Sequence, residues 1–167
     1  MIVTITNYIR AGYAGMYFDS SEEARVEGTL KTVAKALGRK LFAWSITEGM
    51  IDTEKGSVRN CNDPMEVLTA IPELPEDSII LLRDFHLFLQ DPNPVLLRQL
   101  VDQLRIGRSC GKVSGSVGCR LTLPPELERE FTILDFALPD SEQLSRVLDG
   151  IVESSKKESP EREAREA

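Results

Sequence analysis

The sequence predicts an α/β fold, a mostly parallel five-stranded sheet with helices on both faces, and three observations lead there. Short apolar runs alternate with amphipathic segments of helical period, the order that builds strand-helix-strand units on a parallel sheet. The run Ile79 to Leu82 (IILL) is continuous rather than alternating, as in a strand covered on both faces. It breaks at Arg83 and Asp84, a charged pair that marks the carboxyl end of that strand. Right-handed crossovers are expected throughout.

The elements follow in order. Ile5 to Ala11 forms a short helix that Gly12 ends. Ala14 to Phe18 (AGMYF) is the first strand, and Asp19, Ser20 and Ser21 cap a helix that opens on Glu22 and Glu23. Val26, Leu30, Val33, Ala34 and Leu37 recur on one face of that helix, with Gly38 as its stop. Leu41 to Ile46 (LFAWSI) is the second strand. Gly49 to Asn62 is polar and turn-rich, a loop or small hairpin expected to be mobile. Asp63-Pro64 is a cap with proline at the first helical position, and Pro72 and Pro75 close the helix it opens. After the central strand, Val95 to Leu104 makes an amphipathic helix.

The next segment, Lys112 to Cys119 (KVSGSVGC), is poor strand material, because glycine costs entropy and packs nothing. An empty slot beside the central strand would leave buried backbone groups unpaired. A loose strand over Val113 to Cys119 is therefore expected, and valine at Gly115 is expected to stabilise it. Pro124 and Pro125 open a short acidic helix, Phe131 to Phe136 is the last strand, and a final helix starts at Pro139. The domain is expected to span 1–153, with 154–167 a disordered charged tail.

The chain has 167 residues, enough for one domain, and its net charge of −7 argues against nucleic acid or anionic membranes as partners. No apolar run reaches the ~18 residues of a membrane span, and the opening MIVTITNYIR lacks the order of a secretion signal. A cytoplasmic protein is expected. Cys61, Cys110 and Cys119 have neither the number nor the spacing for disulfides or zinc.

Candidate site residues are few. Asp84, at the carboxyl edge of a parallel sheet, stands where P-loop nucleotide hydrolases hold magnesium, and is the one candidate for cofactor binding. The rival reading is an aspartate that caps a turn or pairs with Arg83. His86 beside it suggests acid-base chemistry or a hydrogen-bonded edge residue. A phosphate cradle needs a glycine-rich loop and a lysine after the first strand, but Asp19 to Arg25 offers carboxylates there. Gly107 and Gly111-Lys112 are wrongly spaced for one and trail a helix. Cys61 lacks an identifiable base, and Glu22 and Glu23 read as a helix start. Asp19, Glu48 and Asp84 are the acids a receiver-type phosphorylation site would use. No catalytic residue and no metal site is predicted.

In order, Ala11-Gly12-Tyr13, Ser20 to Arg25, Trp44-Ser45, Asp63-Pro64, Arg83 to Leu89 and Leu123 to Glu128 leading to Leu138-Pro139 make a further pattern. Over roughly Arg10 to Val152 it resembles the amino-terminal domain of the AAA ATPases found in chloroplast reading frames and many bacteria. The aliphatic strand expected before Leu121 is replaced here by KVSGSVGC. The resemblance implies a P-loop-NTPase-like fold without a phosphate loop, and ATP and magnesium as cofactors of the parent family rather than of this chain. It also implies an ATPase module as partner, in cis or in trans, with an oligomer possible. The expected function is a non-catalytic accessory or regulatory domain. The alternatives are a nucleotide hydrolase using Asp84 for magnesium and a receiver-like domain.

Overall fold

The computed structural model describes residues 1–136. The expected final helix from Pro139, the domain end at 153 and the tail 154–167 lie outside the described residues.

Helix α1 (Ile2–Arg10) leads into β1 (Gly15–Asp19), α2 (Glu23–Leu37) and β2 (Leu41–Ser45). A hairpin follows, β3 (Gly49–Asp52) and β4 (Gly56–Arg59), then α3 (Pro64–Ala70), β5 (Ile79–Arg83), α4 (Pro94–Ser109), β6 (Val113–Gly118) and β7 (Phe131–Asp135). One sheet holds all the strands in the order β4-β3-β2-β5-β6-β1-β7. The five expected strands are all present and parallel, with β6 rather than β5 in the middle of the five. The sheet nonetheless has seven strands rather than five. Gly49 to Arg59 turns back on β2 as an antiparallel ribbon, because the outer edge of β2 offers unpaired backbone groups that a four-residue strand can satisfy.

Local chemistry sets the start of α3 and the end of α2 as expected, whereas α2 starts at Glu23 with Glu22, rather than Asp19, Ser20 or Ser21, as its N-cap and no side-chain cap bond. The Asp63 carboxylate accepts from the backbone N–H groups of Met65 and Glu66, and Gly38 takes the left-handed C-cap at φ 65°. The acidic helix expected after Pro125 is instead a series of turns, closed by Leu127 N–H to the Pro124 carbonyl at 2.9 Å. One face of the sheet is covered by α1 and α2, whose Ile5, Ile9, Val26 and Leu30 meet Met16, Phe18, Leu81 and Val117. The other is covered by α3 and α4, with Trp44, Phe85, Leu100 and Leu104 around Tyr17 and Leu82.

Strand β6 overturns its own expectation of looseness. Every residue from Val113 to Gly118 is buried, and the strand pairs on both sides. Small residues are needed because large neighbours occupy their space: a Cβ on Gly115 would lie 2.5 Å from Cε2 of Phe18, and one on Gly118 would lie 2.2 Å from Nδ1 of His86. Valine at Gly115 is therefore expected to destabilise the domain by overpacking.

Candidate functional site

The strand order reverses at one place. β1 runs on into α2, on one face, whereas its neighbour β6 runs on toward Leu127, which packs in the core of the other face. The crevice between their carboxyl ends is the switch point where open α/β sheets bind ligands. Asp19 ends β1 there and Gly118 ends β6.

The crevice is closed by the protein's own groups. The Ser20 N–H donates to the Gly118 carbonyl at 3.0 Å, so the first amide after β1 bridges the gap. The Ser20 hydroxyl then accepts from Glu22 N–H at 3.0 Å, setting the start of α2. From the next strand, Asp84 N–H reaches the Val117 carbonyl at 3.1 Å. This bond holds Asp84 at φ 55°, a left-handed conformation that non-glycine residues seldom adopt, with its carboxylate 58% exposed. It neither caps the following turn by its side chain nor pairs with Arg83.

His86 corrects the expectation of a hydrogen-bonded edge residue. Its ring is 3% exposed and lies against Gly118. Nδ1 has no hydrogen-bond partner and is 4.0 Å from the Asp84 carboxylate, too far for a direct bond. Ser116 Oγ, on the same face of β6, is also buried without a partner. Tyr17 donates its hydroxyl to the Arg120 carbonyl at 2.5 Å. Burial first, and then the charge of Asp19, with smaller effects from Cys119 and Asp84, pushes that phenol up to about 12.

Arg83 belongs to a separate network. It bonds Glu27 of α2 at 2.5 Å and Glu48 of the β2-β3 turn at 2.7 Å, tying three segments together. Burial works against its charge, but those two carboxylates outweigh it and raise its pKa above the ordinary value. Glu27 was invisible in the sequence as a partner, since nothing local links it to a residue 56 positions away.

The remaining candidates are placed apart. Cys61 is buried, its carbonyl accepts from Trp44 Nε1 at 2.7 Å, and burial pushes its thiol up, away from nucleophilic use. Gly107 lies inside α4, and Lys112 donates Nζ to the Pro72 carbonyl at 2.8 Å, so both sit before β6 at the opposite end of the sheet. Asp19 and Asp84 end strands separated by β6, whereas a receiver order of 2-1-3-4-5 makes the corresponding strands neighbours. Glu48 is engaged by Arg83. Among the described residues, no three His, Cys, Asp or Glu side chains are placed to hold a metal ion.

Residues 1–136 match the family described as SpoVK-like AAA ATPase, N-terminal domain. The chain belongs to that family. It is 29% identical over 149 residues to an uncharacterized AAA domain-containing protein, ycf46, of Guillardia theta, an alignment covering 87% of this chain and 29% of the relative. The ycf46 protein of Trieres chinensis is 28% identical over 149 residues, covering 87% of this chain and 30% of the relative. That of Pyropia yezoensis is 24% identical over 134 residues, covering 78% and 27%. The chain thus spans less than a third of these AAA proteins' own length. No described helix of this AAA amino-terminal domain is long and apolar enough to cross a membrane.

Proposed function

We propose that this domain is a non-catalytic accessory module of an AAA-type ATPase, acting in the cytoplasm by contact with the ATPase module in cis or in trans. The observation that carries the reading is the bond from Ser20 N–H to the Gly118 carbonyl. A phosphate cradle needs amides turned outward after β1 and a lysine to follow them. Here the first amide is consumed, the imidazole of His86 fills the space over Gly118, and Asp19, Glu22 and Glu23 supply negative charge. A triphosphate would meet like charge there and no lysine in the turn after β1, so these residues do not fit ATP. Asp84 has the exposure to touch a magnesium ion but belongs to no cluster of three metal-ligating side chains among the described residues.

Calorimetric titration of the chain with ATP and magnesium tests this. No saturable binding is expected at micromolar concentration. Tight, magnesium-dependent binding that Asp84→Ala abolishes would establish a nucleotide site instead.

A further inference from the structure

Three aliphatic side chains stand in solvent at the carboxyl end of the sheet. Ile46, Leu87 and Leu121 are 48, 55 and 43% exposed. They follow β2, β5 and β6, which are consecutive neighbours in the sheet. At ~4.8 Å between strands, the three loops span about 10 Å, a width that a single helix or loop of a partner covers. The footing beneath is firm. Phe85 and Phe88 pack against Trp44 with ring centroids 5.8 and 6.3 Å away, so the 3-10 turn Phe85–Leu89 buries Phe85, His86 and Leu89 while Leu87 points out.

Charge at this end selects the partner. Asp19, Asp84 and Asp135 close β1, β5 and β7. Arg83 is already held by Glu27 and Glu48, and Arg25 by Glu22, which leaves Arg120 as the cation of this edge outside those pairs among the described residues. Behind Asp84 stands the buried, unpartnered Nδ1 of His86. Exposed aliphatics rimmed by carboxylates mark a protein-binding surface for a partner of opposite charge.

We infer that the carboxyl edge of the sheet is the docking face for a cationic amphipathic segment of the ATPase module. Aliphatic side chains of that segment cover Ile46, Leu87 and Leu121, and a lysine or arginine pairs with Asp84. The inference rests on the accessory reading and says where its contact lies. A second copy of this chain is disfavoured, because it would bring the same carboxylates face to face.

The test is amide NMR on the whole chain, titrated with a synthetic leucine-lysine helix of about 18 residues, five turns long. Peptides of the same length built from leucine-glutamate and serine-lysine serve as controls. Saturable shifts are expected with the leucine-lysine peptide alone, at residues 46–49, 84–89 and 118–121. Leu87→Ser and Asp84→Lys should each weaken that binding about tenfold, the scale of a hot-spot side chain, while Ile133→Ser, an exposed aliphatic on edge strand β7, should not. Shifts centred elsewhere, equal shifts with serine-lysine, or binding untouched by Leu87→Ser would overturn the inference. So would the same amides shifting on simple concentration of the chain, which would identify a second copy as the occupant. No ATPase enters this titration, so it can fail while nucleotide-free accessory function stands, and the calorimetry above can fail while the docking face stands.

Discussion

The two ends of the sheet are built from the same strands and treated differently. At the amino-terminal end, long cationic side chains are used to tie loops. Arg39 donates to the Gly111 carbonyl at 2.5 Å and pairs with Asp77 at 3.1 Å, Lys112 reaches the Pro72 carbonyl at 2.8 Å, and Ser78 bonds the Pro75 carbonyl at 2.6 Å. At the carboxyl-terminal end Arg83 ties loops in the same way through Glu27 and Glu48, but His86 Nδ1 and Ser116 Oγ are buried without partners and Leu87 stands in solvent. Each of those unpartnered buried atoms costs stability. The unpartnered atoms lie beside the proposed docking face, in keeping with the tendency of departures from local rules to gather at functional surfaces.

The crevice gives the largest effect. Gly118→Ala would force its Cβ against Nδ1 of His86, and a loss of ~1–3 kcal/mol is expected from overpacking. Denaturant unfolding measures it, with Trp44 fluorescence reporting whether the aromatic cluster beneath has moved. An unchanged midpoint would mean that His86 is not wedged there. Arg39→Ala at the opposite end leaves the Gly111 carbonyl without its donor, and about 1–2 kcal/mol should be lost. If this variant were as stable as the parent, the amino edge would not be stitched by its cations and the contrast would collapse.

The pH dependence probes the Arg83 network that flanks the carboxyl edge. Burial alone would raise Glu27, but hydrogen bonds from Lys31 and Arg83, with their charges, outweigh it and hold the carboxyl below its ordinary 4.5. A depressed folded-state pKa gives stability that is full above the unfolded value and is lost as pH falls through the folded one. Unfolding midpoints of the parent and Glu27→Gln should therefore differ most near neutrality and converge as pH falls below 4.5. A constant gap across that range would remove the ion pair from the account.

The smaller effects sharpen the contrast because they run against the usual direction. Asp84→Gly relieves a left-handed backbone, and a gain of about 0.5–1 kcal/mol in thermal or denaturant stability is expected. A loss would show that the carboxylate has a structural partner after all. Leu87→Ser, which removes an exposed aliphatic, should change stability by no more than about 0.5 kcal/mol. A larger drop in the unfolding midpoint would place Leu87 in the core rather than on a contact surface.

Much of this architecture was legible from pattern alone. The continuous run Ile79 to Leu82, the helical spacing from Val26 to Leu37, the Asp63-Pro64 start and the Gly38 stop each carry their structure in a few adjacent residues, and all are found as read. The place of Asp84 at a strand end, and the missing cradle after β1, were equally local facts. What the tertiary structure decided depends on neighbours distant in the chain. β3 and β4 exist because β2 offers an edge, and neither four-residue segment has enough period of its own to announce a strand. Gly115 and Gly118 looked like weakness because their sequence shows what they lack, whereas Phe18 and His86 supply the missing volume from other segments. His86 looked like an edge residue because histidine beside aspartate suggests solvent and hydrogen bonds, yet burial is set by the crevice it enters. Periodicity fixes which residues a helix or strand turns inward; only packing fixes what meets them there.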